Sequence, residues 1–157
     1  MFNALISHKG QTAILTLPMD RFSLQYELAQ IGIRQQLTNI PISDEEEQDV
    51  QVKLYADSDM GNSLAMLFKS SHSLEDANLC AHMVENARLE LLEELEQHIV
   101  YGQYHSPKAV MEDIKAMTDE LGHTKLMELL DKNLDLELRR TRTNGKGWTL
   151  TAFAKTR

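Results

Sequence analysis

The chain has 157 residues, 42% of them hydrophobic, and a formal net charge of −8 at pH 7. This length suffices for one compact domain or for two to three small lobes. No stretch approaches the roughly 18 apolar residues of a membrane-spanning helix, and the start lacks the basic flank of a signal peptide. The single cysteine, Cys80, excludes an internal disulfide framework and favours a cytoplasmic location.

The charge is distributed unevenly along the chain. Residues 1–137 carry ten basic and 24 acidic side chains, a net charge of −14, whereas residues 138–157 carry six basic and no acidic ones. The acidic body is therefore not expected to bind DNA directly, because phosphates need cationic partners. Such a body can still bind a protein that itself binds nucleic acid.

Residues 1–56 predict an N-terminal α/β lobe. Apolar runs over Asn3–Ile6 and Thr12–Leu17, on either side of a turn at Gly10, indicate two strands of a hairpin. Asp20 is expected to cap a helix that ends at Gly32. Residues 34–49 predict a polar connection with an acidic run, and the alternation that follows, Val50, Val52 and Leu54, predicts a half-buried strand.

Residues 57–122 predict an acidic helical bundle. A short helix is expected after Asp57-Ser58-Asp59, and Ser73 with Asp76 is close to a capping box for the next. Apolar stripes then recur at helical spacing in three successive helices: Leu74, Ala77, Ala81 and Val84; Leu91, Leu92, Leu95 and Ile99; Val110, Ile114 and Met117. The third helix is expected to open at Ser106-Pro107, to turn Glu112 and Asp113 outward, and to end at Gly122.

Residues 123–157 predict one more helix, capped by Thr124, and a basic β-hairpin. Leu134, Leu136 and Leu138 alternate with polar residues, and Asn144-Gly145 is a strong hairpin signal. A three-residue loop is favoured, since it puts these leucines on one face with Trp148 and Leu150. The fold class predicted for the whole chain is α+β.

The sequence gives no signature of catalysis, and no catalytic residue, metal ligand or cofactor is predicted. The motifs HExxH, GxSxG, GxxxxGK[ST] and GxGxxG are missing, and the six histidines are scattered. Adjacent glutamates such as Glu93 and Glu94 are more often a solvated helix face than an acid–base pair. We therefore expect that the protein is not an enzyme.

Three central segments, Ser73–Ala81, Ile99–Gly102 and Ser106–Val110, resemble the middle domain of ArdA-type antirestriction proteins. The likeness extends over about residues 1–120 and includes Leu17-Pro18 and Ile31–Ile33 upstream. Proteins of this family come from mobile genetic elements, imitate the shape and charge of DNA, and block type I restriction–modification enzymes. Residues 124–157 depart from the family pattern. This departure leaves open how long the DNA-like surface is and whether the chain forms the homodimer that the resemblance implies.

The resemblance implies an inhibitor whose partner is a type I restriction–modification enzyme, with no membrane involved. The candidate partner-binding carboxylates, called here the mimic surface, are Asp44, Glu45, Glu46, Glu47, Asp49, Asp57, Asp59, Glu75, Asp76, Glu90, Glu93, Glu94, Glu112, Asp113, Asp119 and Glu120.

The basic tail supports an alternative function. In that hypothesis the protein is an accessory protein of a mobile element that holds a protein partner through its bundle and contacts nucleic acid through its tail. Cations near an aromatic side chain can contact phosphates and stack a base. The residues concerned are Arg139, Arg140, Arg142, Lys146 and Trp148. A hairpin packed on the body is the competing interpretation of the same tail.

Overall fold

The computed structural model describes residues 1–87, 89–131, 136–142 and 148–154, with side chains up to His123 except at residues 88–90. The chain divides into two compact units, Met1–Lys115 and Ala116–Arg157. The first unit holds a three-stranded sheet and most of the helical residues, and the second holds two paired strands. The predicted α+β class is confirmed.

The sheet of the first unit consists of strands β1 (Phe2–His8), β2 (Gln11–Leu17) and β3 (Val50–Tyr55), in the antiparallel order β2-β1-β3. Lys9 and Gly10 join β1 to β2 with positive φ angles of 47° and 80°. Two consecutive positive φ values give a tight turn whose twist matches that of the strands. The predicted hairpin and the predicted third strand are confirmed.

The two faces of this sheet differ in burial. Phe2, Ala4 and Ile6 of β1 are fully buried, and Leu15 and Leu17 of β2 lie opposite them on the same face. The other face carries Thr12, Ile14 and Thr16 of β2, all exposed. This alternation is typical of an antiparallel sheet with one face against a core.

Helices α1 (Arg21–Gln30) and α2 (Asp59–Ala65) begin at side-chain caps. Asp20 accepts hydrogen bonds from the Ser23 backbone and hydroxyl, and the side-chain bond in particular lowers the pKa of Asp20. The cap of α2 lies within the predicted segment Asp57-Ser58-Asp59: the Ser58 hydroxyl accepts a hydrogen bond from Gly61 N at 3.0 Å. One turn of 3-10 helix, Leu37–Asn39, interrupts the connection between α1 and β3.

Helix α3 (Leu74–Glu85) begins with the predicted capping box. The Ser73 Oγ accepts from Asp76 N at 3.2 Å, and the Asp76 carboxylate accepts from Ser73 N at 2.8 Å. The predicted stripe of α3 is fully buried. Cys80 lies buried beside that stripe, and burial raises the pKa of its thiol to about 12.

The first turn after β2 is attached to α3 by side-chain hydrogen bonds. The side-chain oxygen of Asn78 accepts from Met19 N, and its side-chain nitrogen donates to Met19 O, both at 2.9 Å. The amide thus satisfies both backbone groups of Met19, as the backbone of a paired strand does. The Nε2 of His82 also lies 2.9 Å from Met19 O. Asn78 is only 7% exposed and Met19 is half-buried, so these bonds connect the sheet to α3 where solvent access is reduced.

Helix α4 (Leu89–Val100) buries Leu91, Leu95 and Ile99 as predicted, while Leu92 is half-buried. Helix α5 (Pro107–Asp131) opens at Ser106, whose hydroxyl accepts from Ala109 N at 3.2 Å. The prediction that Gly122 ends this helix, and that Thr124 caps another, is wrong: α5 continues to Asp131. Glycine inside a helix costs only about 1 kcal/mol relative to alanine, so it does not by itself end one.

In the second unit, β4 (Leu136–Arg142) pairs antiparallel with β5 (Trp148–Ala154). The register places Leu138 opposite Ala152 and Arg142 opposite Trp148. The predicted loop around Asn144-Gly145, and Leu134, lie outside the described residues. Within the described part of the chain, no helix has the length and apolar character needed to span a membrane.

The attachment at Met19 predicts a stability difference. We expect Asn78→Ala to lower the free energy of unfolding by about 1–3 kcal/mol, because it removes the buried side-chain amide that satisfies the part-buried backbone N–H of Met19. Asn86→Ala is the matched control, since Asn86 is exposed at the C-terminal end of α3. Urea unfolding of both variants checks this; equal losses would contradict a structural role for the Asn78 bonds.

Candidate functional site: the acidic surface

The densest part of the mimic surface is the loop Asp44–Asp49, whose five carboxylates are all exposed. The loop is held at both ends. At one end Ser43 is 8% exposed, its carbonyl accepts from Val52 N at 2.8 Å, and its hydroxyl accepts from Glu45 N at 3.3 Å. At the other end Val50 is buried in β3. A turn closed by Gln48 N and Glu45 O, 3.1 Å apart, lies between.

Further mimic-surface carboxylates project from α2 and α4 or lie directly before them. Asp57 and Asp59 are exposed around the start of α2, where a helix favours negative charge. Glu93 and Glu94 are exposed on α4, on the side away from its buried stripe. Of these four, only Glu94 lies near a basic side chain among the described ones: His98, whose Nε2 is 3.9 Å away.

Glu75, Asp76 and Glu112 of the mimic surface also have partners within the protein. Glu75 pairs with Arg21 at 3.4 Å, and Asp76 serves the capping box of α3. Glu112, although exposed, lies 3.9 Å from Lys108 one turn earlier. Glu75 and Asp76 are half-buried, so they are less accessible to an external cation than the Asp44–Asp49 loop.

Asp113 does not face away from the protein as predicted. The chain between α4 and α5 brings Tyr104 back, and its hydroxyl donates to the Asp113 carboxylate. The Nδ1 of His98 lies 3.4 Å from the Tyr104 oxygen and 3.9 Å from Asp113. Burial, followed by the hydrogen bond to Asp113 and the charges of Asp113 and Glu94, raises the pKa of Tyr104.

The remaining predicted residues are at the start of α4, on α5 and in the tail. Asp119 and Glu120 are exposed on α5 in the second unit. The side chain of Glu90 is outside the described set. The tail candidates Arg139, Arg140 and Arg142 lie on β4 and Trp148 on β5, with backbone positions only, and Lys146 is outside the described residues.

Sequence reasoning missed the exposed apolar side chains. Phe22 and Tyr26, one turn apart on α1, are 82% and 64% exposed, and Ile14 on β2 is 63% exposed. A signal was present for Ile14, because strict alternation places it opposite in phase to Leu15 and Leu17. A signal was present for Phe22 as well, because it is two residues from Leu24, about 200° around the helix from the face that carries the buried Leu24 and Leu28.

Among the residues with described side chains, no group of three or more His, Cys, Asp or Glu is arranged to hold a metal ion. Comparisons with models of protein families, with curated proteins and with solved structures each found no match. The resemblance to ArdA-type proteins therefore stays a prediction.

The environment of Tyr104 predicts a pH-dependent contribution to stability. Because its pKa is raised above the ordinary value of 10, the bond to Asp113 contributes fully below pH 10 and is lost as pH rises through the raised value. We expect Tyr104→Phe to cost about 1 kcal/mol at neutral pH, after allowance for solvent screening. The difference from wild type should shrink in alkaline solution.

Denaturant unfolding at neutral and alkaline pH measures this difference. Tyr101→Phe is the matched control, since Tyr101 is 78% exposed. A Tyr104→Phe cost that stays constant across this pH range would show that the hydroxyl contributes by packing alone.

Proposed function

We propose that this protein is an ArdA-like antirestriction protein that inhibits type I restriction–modification enzymes by occupying their DNA-binding groove. The observation that carries the proposal is the exposure of the Asp44–Asp49 carboxylates without a cationic partner among the described side chains. Met1–Lys115 contains eight basic and 18 acidic side chains, so most carboxylates have no basic residue to pair with. Such groups are available to the lysines and arginines of another protein.

The physical basis is replacement of phosphates by carboxylates. B-form DNA presents about one negative charge per 1.7 Å of its axis, and a DNA-binding groove is lined with cations to match. Carboxylates three or four residues apart on a helix form rows with a spacing of about 5–6 Å. Together with an acidic loop whose two ends are held, such rows offer the groove an array of charges on an already folded backbone, which reduces the ordering cost of binding.

The proposal includes two finer features of the architecture. We take helices α2–α5 as the acidic bundle that carries the rows, and β4–β5 as a basic hairpin. Neither is needed for the loop Asp44–Asp49 to engage cations. The mimic surface acts collectively in this proposal, and no residue of the chain performs chemistry.

The sequence of the tail favours a second candidate function. Residues 138–157 have six basic and no acidic side chains, and Arg142 is opposite Trp148 in the β4–β5 register. In this alternative the tail contacts nucleic acid while the acidic body holds a protein partner. Retention on heparin that is lost when Arg139, Arg140 and Arg142 are changed to Gln would support it.

The direct test of the proposed function is a restriction assay in cells. Unmodified phage is plated on a strain with a type I restriction system, with and without expression of this protein. Efficient plating only in the expressing strain is expected. Equal restriction in both strains, with the protein present in soluble form, would contradict the proposal.

Charge should act collectively in that assay. We expect Glu93→Gln to change plating little, and the joint replacement of Asp44, Glu45, Glu46, Glu47 and Asp49 by their amides to reduce it clearly. The matched control exchanges Asp and Glu at the same five positions, which keeps the charge and alters the shape. Loss of activity in the exchanged variant would indicate recognition of individual side chains.

Binding should weaken as salt rises, because the contacts replace phosphate contacts in a basic groove. The affinity of the purified protein for a type I specificity complex, measured from low to moderate salt, checks this. The amide variant should show a shallower salt dependence than wild type. An affinity independent of salt would mean that apolar contacts carry the binding.

A further inference from the structure

The segment that leads into the acidic loop is fixed to the start of α3 by backbone hydrogen bonds. Ile40 O accepts from Leu74 N at 2.8 Å. Two residues later, Ile42 N donates to His72 O at 2.9 Å. Ile40 and Ile42 are also buried, at 1% and 7% exposure. Ser43 therefore follows a segment whose backbone is held in place.

The loop after Ser43 has to turn back toward β3 against its own charge. Its return is marked by Val52 N, which donates to Ser43 O at 2.8 Å. Five exposed carboxylates lie between these two residues, at positions 44–49. Neighbouring like charges repel and favour an expanded loop. The turn within the loop therefore depends on hydrogen bonds that oppose this expansion.

Glu45 connects the two hydrogen bonds within the loop. Its N–H donates to Ser43 Oγ at 3.3 Å, and its C=O accepts from Gln48 N at 3.1 Å. Among the described side chains, the Ser43 hydroxyl is the one that hydrogen-bonds the backbone of residues 44–49. Ser43 is 8% exposed, whereas Glu45 and Gln48 are exposed. A buried hydroxyl thus connects the fixed segment to an exposed acidic turn.

We propose that Ser43 is a positioning residue for the inhibitor: its hydroxyl, acting through the backbone of Glu45, holds the loop Asp44–Asp49 in the conformation that a cationic partner binds. This inference rests on the proposed function and assigns a role to an uncharged side chain outside the mimic surface. A loop that is ordered before binding loses less conformational entropy when the partner engages it.

The number of charges in the loop and the order of the loop affect binding differently. The slope of log affinity against log salt depends on the number of ionic contacts. Ser43→Ala removes no charge, so we expect an unchanged slope. Its affinity for a type I specificity complex should be lower by about three- to tenfold at every salt concentration, because the loop then has to be ordered upon binding.

Ser106→Ala is the matched control for Ser43→Ala. The Ser106 hydroxyl likewise accepts from a backbone N–H, that of Ala109 at 3.2 Å, but it lies at the start of α5. We expect this variant to lose stability and to keep its affinity. Ser43→Thr retains the hydroxyl and should restore most of the affinity. Equal losses of affinity in Ser43→Ala and Ser106→Ala would overturn the proposal, because both would then reflect general destabilisation.

Amide hydrogen exchange of the free full-length protein, measured by NMR, tests the positioning without a partner. Ser43→Ala should raise the exchange rates of the Glu45 and Gln48 amides severalfold. The Val52 amide donates to a backbone carbonyl and should stay as protected as in wild type. Unchanged exchange at Glu45 and Gln48 would overturn the proposal. A wild-type protein that does not bind the specificity complex would instead contradict the proposed function, and the exchange rates would still decide whether Ser43 positions the loop.

Discussion

The attachment of the sheet to α3 at Met19 is the interaction on which the first unit depends. The side-chain amide of Asn78 satisfies both backbone groups of Met19, and His82 adds a further contact. These residues are 59 and 63 positions from Met19 in the chain, so they connect elements that local structure alone would leave separate. Buried polar groups with complete partners specify one arrangement, whereas incomplete ones are costly.

The charge of the first unit imposes the second constraint. Its 18 acidic and eight basic side chains repel on balance, and this repulsion opposes folding. The interior contains almost no polar side chains. Among the residues whose side chains are described, the buried polar ones are Ser43, Ser73 and Asn78. Each of the three has a hydrogen-bonded partner. Apolar burial therefore offsets the repulsion, and the carboxylates remain outside.

Much of the fold could be predicted because its signals are local. The turn at Gly10, the cap at Asp20 and the capping box at Ser73 each depend on residues no more than four apart. The Asn78 bonds could not be predicted, since nothing near Asn78 in sequence indicates its partner. The prediction that a helix ends at Gly122 was wrong, because a glycine lowers helix stability without forcing a break. The turns of α5 on either side of Gly122 are helical.

The candidate site was predictable in composition and less so in geometry. Exposure of Asp44–Asp49, Glu93 and Glu94 follows from runs of charge that no core can accommodate. The environment of Asp113 depends on a loop that returns Tyr104 to α5, and the pairing of Glu75 depends on Arg21, more than 50 residues earlier. Sequence patterns identify which residues are charged, but tertiary contacts determine which charges remain available.

Competition with DNA tests the central claim most directly. A fluorescent duplex with the recognition sequence is titrated with a type I specificity complex in the presence of increasing amounts of this protein. If the protein occupies the DNA groove, the apparent Kd for the duplex rises in proportion to inhibitor concentration, without a limit. A Kd that reaches a plateau, because duplex and protein bind the complex together, would contradict the account.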